Sequence, residues 1–516
     1  MEEMGPAPSA TPKAPAYGQY PDPARRALIS AGLILTTLMT SIDATIANTV
    51  LPQIRASVSA SQDEILWTLT SFILAGTIVT PAIGWTERRF GRRTVLLSAL
   101  VGFTLSSMLC GIATGIAELV VYRVLQGATA AFFIPISQAI MLDINPPEDH
   151  ARAMSMWGMG AVLGPIMGPI LGGVITDNLN WRWVFFINIP IAIVGFMIMA
   201  TALPRRTHRE QQSFDGFGFI VLIIALICMQ LLLDRGPGQE WFSSTEIWIY
   251  AGIAGLFGYL FFVHIFTSAR PIIHPSILAD RNYLLGSVMI LFIGVLMFAG
   301  MAVLPSLMQG LLGYPVLTAG LTQASRGAGT FVSMFLVGRM MGKVDNRLII
   351  FVGISLTGLS YYLMSGFALE MDQTPIVVSG LFQGLGLGLV FIPLMSIAFT
   401  TIKPQLRTEA ASFYTLIRNI GSSLGISMVG ALQIYNMGVV SSQLAEHATP
   451  DNPNVVASLP PGLDLGTAPG QAIMEGLIAR QAAMVAYIDS FHLLFIMSVL
   501  TLPLLLLLRT RPTAKP

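Results

Sequence analysis

Gly160-Ala161-Val162-Leu163-Gly164-Pro165-Ile166-Met167-Gly168-Pro169-Ile170-Leu171-Gly172-Gly173 carries a glycine at every fourth position, Gly160, Gly164, Gly168 and Gly172. On a helix that spacing gathers all four on one face. In water each glycine would weaken the helix, and Pro165 and Pro169 would break it. Inside a bilayer both residue types are tolerated, and a stripe of small residues lets a neighbouring backbone come close. Two readings follow. The stretch is either a tight helix–helix contact or a bent, rocking helix at the interface of two moving bundles.

Composition places that helix in a membrane. Hydrophobic residues make up 54% of the 516 and charged residues only 11%, too little charge for a soluble globular chain. A net charge of +1 gives no basis for nucleic-acid binding. Cys110 and Cys228 both fall in apolar runs, which excludes a disulfide framework. The histidines His264, His274 and His492 are isolated, so no metal site is expected. No phosphate-binding Gly-rich Lys motif occurs, so no cofactor is expected and ATP hydrolysis in this chain is not the energy source. Residues 1–24, rich in Pro and Ala, have no apolar core segment and read as a disordered tail rather than a signal peptide.

The expected fold is all-α and polytopic. Apolar runs able to cross a core of roughly 30 Å lie near 27–50, 65–85, 94–114, 118–142, 153–176, 183–203, 217–233 and 245–267. Others follow near 284–308, 318–341, 347–367, 375–399, 408–435 and 487–509, which makes fourteen. With that count, twenty-one of the 28 Lys and Arg residues fall on the side of the chain termini, four on the other side and three inside spans. Both termini are therefore expected in the cytoplasm. Gln126-Gly127 and Phe133-Ile134-Pro135 in the fourth span return as Gln383-Gly384 and Phe391-Ile392-Pro393 in the twelfth. The repeat distance of eight spans fits a six-helix bundle at 25–203, a linker with two extra spans at 204–283, and a second bundle at 284–516. A long outer loop is expected at 436–486, structureless except for a helical stretch over 471–483, as either a partner-docking surface or a tolerated insertion.

Ionisable groups inside spans are costly and mark function. Asp43 stands roughly 10 Å from the outer end of the first span, and Arg123 roughly 8 Å from the outer end of the fourth. The two can meet if those spans are neighbours. A carboxylate facing a guanidinium holds its proton less tightly and a desolvated one holds it more, so movement between the two settings would load and release a proton. The other reading is a static ion pair. Gln126, three residues after Arg123, faces the same way. Asn48 is either polar lining or a capping residue. Arg326 and Arg418 have no carboxylate nearby in their own spans; Arg418, with Tyr414 one turn earlier, could attract an anion or be tied up by carbonyls or by Gln383. Phe72, Phe132 and Phe133 are candidates to line an apolar cavity, while Glu118, Asp143, Asp177 and Asp234 sit at span ends and read as solvated edges.

The stretch Gly164-x-x-x-Gly168-Pro169-x-x-Gly172-Gly173 resembles the antiporter signature of the major facilitator superfamily. Arg123-x-x-Gln126-Gly127 resembles that superfamily's fourth-span signature, whose arginine is implicated in proton transfer. Asp43-x-Thr45-x-x-Asn48-x-x-Leu51-Pro52 resembles the first span of fourteen-span drug:proton antiporters of the EmrB/QacA type. Trp181-x-Trp183-x-Phe185-Phe186-Ile187-Asn188-x-Pro190, Leu233-Asp234-Arg235-Gly236 and Trp241-Phe242-Ser243-Ser244 are most like the EmrB branch. The resemblance implies a proton-gradient-driven exporter of small hydrophobic compounds in a bacterial inner membrane. It also implies a periplasmic membrane-fusion adaptor of the EmrA type and an outer-membrane channel as partners. A proton symporter, or a sensor or scaffold on the same fold, are the rival readings. Between the second and third spans Gly84, Gly91 and Arg92 fit the superfamily pattern, but Arg88 occupies its aspartate slot. The usual charge lock is then lost or passes to Glu87.

Overall fold

The computed structural model describes residues 20–60, 62–146, 149–204, 214–269, 271–403, 406–448 and 467–508. Most of the amino-terminal tail, the basic residues Arg205, Arg206, Arg209, Arg270, Arg509, Arg511 and Lys515, and loop residues 449–466 with their four prolines lie outside these. Among the described residues there are helices and no strand, only an isolated bridge between Met341 and Val344. Hydrocarbon offers no hydrogen bonds, and a helix satisfies its own backbone.

In chain order the long helices are α1 (Pro23–Thr49), α2 (Trp67–Phe90), α3 (Arg92–Ile112), α4 (Ile116–Ile144), α5 (His150–Asn178), α6 (Trp183–Ala202) and α7 (Gly216–Arg235). They continue as α8 (Thr245–Thr267), α9 (Arg281–Leu311), α10 (Val316–Met340), α11 (Asn346–Met364), α12 (Thr374–Phe399), α13 (Arg407–His447) and α14 (Ala468–Leu507). Thirteen of these are long and apolar enough to span a membrane, where fourteen spans were expected; the difference is α10. At 25 residues α10 has the length, but it carries Arg326, Arg339 and several Thr, Ser and Gly residues. It packs between α5 and α12, so much of its surface meets protein rather than lipid.

The packing repeats with a shift of eight helices. α1 packs on α5 and α9 on α13; α2 on α4 and α10 on α12; α3 on α4 and α11 on α12; α3 on α6 and α11 on α14. The echo reaches single residues. A Cβ on Gly127 would lie 2.8 Å from the carbonyl carbon of Phe72, and one on Gly384 would lie 2.8 Å from the carbonyl carbon of Arg326. Helices α7 and α8 pack mainly on each other, and α7 is tied to α13 by Ser423 Oγ donating to Gln230 Oε1 and Ser427 Oγ to the Leu233 carbonyl.

The opening glycine stretch is one unbroken helix, α5, through both prolines. Its glycine face lies on α1: a Cβ on Gly164 would sit 2.6 Å from the Ser41 carbonyl carbon, and one on Gly172 3.2 Å from Ile46 and Thr49 side chains. Gly160 meets Ile34, Gly168 meets Thr45, and Gly173 is buried. Another face touches α10, where Gly320 would meet Pro169, and Ser155 Oγ donates to the Met334 carbonyl at 2.7 Å. One helix thus joins the first set to the second. The counterpart Gly421 and Gly425 bring α13 onto Leu291 and Val295 of α9, a small-residue spacing the sequence reading passed over.

The outer loop is far shorter than expected. Asn436–His447 continues α13 and the helix of α14 begins at Ala468, so only 448–467 separate them. The anticipated helix over 471–483 is present as the start of α14. Asn436 Nδ2 donates to Asp489 Oδ2 at 2.7 Å and fastens the two helices together.

Helix contact through Gly168 gives a direct test. A side chain there would collide with Thr45 and crowd the Ile46 nitrogen at 3.1 Å. Gly168→Val is expected to cost about 1–3 kcal/mol and lower Tm by a few degrees. Gly255→Val, at a site with nothing within 4 Å, should leave Tm nearly unchanged when both are measured on purified protein.

Candidate functional site

Four helices deliver polar side chains to one buried point: α1 brings Asp43, α3 Ser107, α4 Arg123 and Gln126, and α6 Asn188. All five residues have no measurable exposure. Arg123 Nη1 donates to Asp43 Oδ2 at 2.9 Å and to Gln126 Oε1 at 2.8 Å, while Arg123 Nε donates to the Thr68 carbonyl of α2 at 3.1 Å. Asp43 Oδ1 accepts from Asn188 Nδ2 at 2.7 Å and from Gln126 Nε2 at 2.9 Å. Ser107 Oγ accepts from both amides and donates to the Phe185 carbonyl at 2.8 Å. The guanidinium carbon lies 4.2 Å from the Phe72 ring centre and 5.8 Å from that of Phe185. A buried carboxylate with three donors and a buried cation with three acceptors and two ring faces are both well compensated.

The expected meeting of Asp43 with Arg123, and the orientation of Gln126, are therefore seen in the geometry. Asn188 and Ser107 were not singled out. An asparagine inside an apolar run was the available signal, and it had been noted only as part of a motif. Asn188 Oδ1 is buried without a hydrogen-bond partner among the described residues. Asn48 is exposed near the end of α1 and is no part of the cluster. Phe133 is also misplaced as a cavity residue: it is fully buried, edge-on to Phe103 at 5.5 Å, just after the turn at Ala131 and Phe132 that divides α4. Phe132 is partly buried against the same core.

The second set of helices lacks this pair. Shifted by the separation of Gln126 from Gln383, Asp43 falls on Gly300 and Arg123 on Gly380. Gln383 Nε2 instead donates to the Tyr361 hydroxyl at 2.8 Å, and that hydroxyl donates to the Leu296 carbonyl. Gln383 therefore does not tie up Arg418. Arg326 Nη2 donates to the Met297 carbonyl at 3.1 Å, and among the described residues Arg418 reaches only Asn419 Oδ1, at 3.4 Å. Tyr414 is buried against Tyr283 and Phe399.

A second charged cluster clamps the two sets of helices at one end. Arg88, in the slot where an aspartate was expected, pairs with Glu409 of α13 at 3.3 Å. The same carboxylate accepts from the His274 N–H, and a Cβ on Gly84 would lie 3.5 Å from the Glu409 Cα. Glu87 and Asp143 both pair with Arg92. Glu87 thus holds the local end and Arg88 the link across. Asp143, read as a solvated edge, is in fact engaged here. Gly91 takes φ +84°, left-handed backbone that a side chain would strain, and so turns α2 sharply into α3.

Residues 33–426 match the model of the Major Facilitator Superfamily. The chain belongs to that superfamily. It is 32% identical over 477 residues to the multidrug export protein EmrB of Escherichia coli (strain K12), covering 92% of this chain and 93% of that one. It is 30% identical to the fatty acid resistance protein FarB of Neisseria gonorrhoeae, covering 93% and 95%. The fold is similar to that of a bacterial homolog of the human lysosomal transporter Spinster in its inward-facing form, with TM-score 0.56, 18% identity and coverage of 95% and 100%. The chain is thus a multi-pass membrane transporter of the EmrB branch and not an enzyme.

The clamp is testable by reversal. Arg88→Glu would set two carboxylates together and Glu409→Arg two guanidiniums, so each alone is expected to depress transport in vesicles. The double variant should recover part of it, incompletely because the His274 N–H loses its acceptor. Double-variant activity no higher than either single would show that the pair does not act as a clamp.

Proposed function

We propose that the chain is a proton-driven antiporter that exports hydrophobic or amphipathic compounds across a bacterial inner membrane. The observation that carries this reading is the Asp43–Arg123 pair, sealed among α1, α3, α4 and α6. An intramembrane carboxylate that can exchange an arginine for a proton is what coupling requires. Here α5 supports the conversion of protonation into motion. It lies on α1, which bears Asp43, and also touches α10 across the interface. A change in the placement of α1 would be passed on through glycine contacts that leave little slack. The bundles at 25–203 and 284–516 then rock about this seam, with residues 204–283 alongside.

The EmrB-type relatives support a multidrug range, and an adaptor would carry substrate onward from the outer face. The geometry favours a helical docking element over the long loop. α13 has 41 residues, about 62 Å of helix, roughly twice the hydrocarbon thickness. Its far end therefore projects well beyond the membrane, paired with the start of α14, where Ile473 and Leu477 are exposed. This helical projection suits a periplasmic adaptor of the EmrA type, with an outer-membrane channel beyond it.

Two experiments follow. Asp43→Asn keeps the size of the side chain and removes the titrating group. It is expected to insert normally yet abolish proton movement on substrate addition in vesicles; undiminished proton movement would refute the coupling role. Replacing 438–480 with a flexible linker should leave transport in vesicles intact while ending resistance in whole double-membraned cells. Retained resistance with unchanged adaptor co-purification would exclude the projection as the docking element.

A further inference from the structure

Arg418 is a cation inside the transporter with no counter-charge among the described residues. Its nearest acidic neighbour along α13 is Glu409, about 13 Å away along the helix and already engaged by Arg88. Helices α9 to α12 contain no Asp or Glu at all. On α14, Asp489 is held at Asn436, about 27 Å along α13 from Arg418. Across the interface, Asp43 is taken by Arg123, and Glu87 and Asp143 by Arg92. Arg418 Nε is buried with no hydrogen-bond partner among the described residues, and one turn earlier the Tyr414 hydroxyl is buried in the same condition. Two unpaired donors in a nonpolar setting imply a missing acceptor.

The face that carries them looks toward the interface of the two sets of helices. Arg407, Ala411, Tyr414 and Arg418 form one stripe of α13, and Phe391, Met395 and Phe399 form one stripe of α12. Their lower members Arg407, Ala411, Met395 and Phe399 line a cleft opposite Gln138 and Asp143 of α4. The guanidinium carbon of Arg418 is 6.0 Å from the Phe391 ring centre, beside an apolar wall. A second cation stands at similar depth. The Arg418 carbonyl packs at Gly294 of α9, and Arg326 binds the carbonyl of Met297 three residues on.

We propose that Arg418 is the anion-binding residue of the substrate path, seating the acidic head of an amphipathic compound whose apolar body lies along Phe391 and Phe399. Arg326 of α10 adds positive potential at similar depth, and the Tyr414 hydroxyl donates to the same head group. Resting on the export reading above, this assigns the preferred substrates to lipophilic acids, with proton exchange in the first set of helices and anion capture in the second.

Equilibrium binding to the full-length protein in lipid nanodiscs tests it, with radiolabelled dodecanoate and dodecyltrimethylammonium as probes of equal chain and opposite head charge. Wild type is expected to prefer dodecanoate by at least about tenfold. Arg418→Gln should lose that preference while leaving the cation unaffected, and Arg418→Lys should keep part of it. No preference in wild type, or dodecanoate binding unchanged in a monodisperse Arg418→Gln, would overturn the proposal. If Arg418→Gln does not fold, the wild-type preference and the Arg418→Lys variant still decide. Binding is read without a proton gradient, so failure of Asp43→Asn to block coupling would leave this result standing. A protein that moves protons with cationic drugs but does not bind dodecanoate would sink the anion site and spare the export reading.

Discussion

Hydrocarbon supplies no hydrogen bonds, so every polar group buried in this protein must be satisfied by the protein itself. The pair of Asp43 and Arg123 is where that constraint bears hardest. Desolvating the two ions costs several kcal/mol each, and their attraction offsets this only if remaining donors and acceptors are also met. Gln126, Asn188, Ser107 and the Thr68 carbonyl meet them, which requires five helices to converge closely. The glycines make that convergence possible. Gly127 brings α4 against the Phe72 backbone of α2, and Gly164 with Gly168 brings α5 against α1. Small residues and the ion pair are therefore one device: packing without side chains creates the space in which a charge can be held.

Much of this was legible in the sequence because membrane constraints leave plain marks. Apolar runs gave the helices, and the repeat of Gln126-Gly127 at Gln383-Gly384 gave their recurrence, since both glycines do the same packing work. Asp43 and Arg123 stood out because charge is rare inside a span. What stayed hidden was the identity of partners that are neutral or lie far along the chain. Asn188 reads as a common polar residue until its distance to Asp43 is known. Glu409 sits at a helix start, where an acid has an ordinary local explanation in the helix dipole, and only the fold brings it to Arg88. The outer loop was misjudged for a different reason. Asn436–His447 is amphipathic and polar enough to look like a connection, yet pairing with α14 keeps it helical. Propensity was overridden by a neighbour more than fifty positions away in the chain.

The two sets of helices share a packing plan but not its chemistry. Glycines at 300 and 380 replace the ion pair, and the Tyr361 hydroxyl occupies the vacated space beside Gln383. A duplicated scaffold can in this way separate two tasks that would interfere if superposed. A proton site needs a carboxylate with a permanent cation at hand. A site for anions needs a cation that has no permanent carboxylate. In the proposed division of tasks Arg123 would meet the first demand and Arg418 the second, at different places in the same architecture.

The strengths of the two charged clusters also differ in a useful direction. Arg88 is partly exposed, and water at the membrane edge can take over from Glu409 when the helices separate. Glu409 is buried and Arg88 only partly exposed, so the clamp is more than a surface pair, but hydration at the membrane edge limits the cost of releasing it. The interior pair has no such substitute. Withdrawing either partner leaves a buried charge uncompensated, a penalty of about 3–5 kcal/mol, unless a proton neutralises Asp43 at the same moment. A latch that water can relieve at the rim and a sealed pair inside suggest an order of events for the proposed cycle. In that cycle the clamp would set which side is closed at rest, and a proton on Asp43 would decide when the inner helices can move.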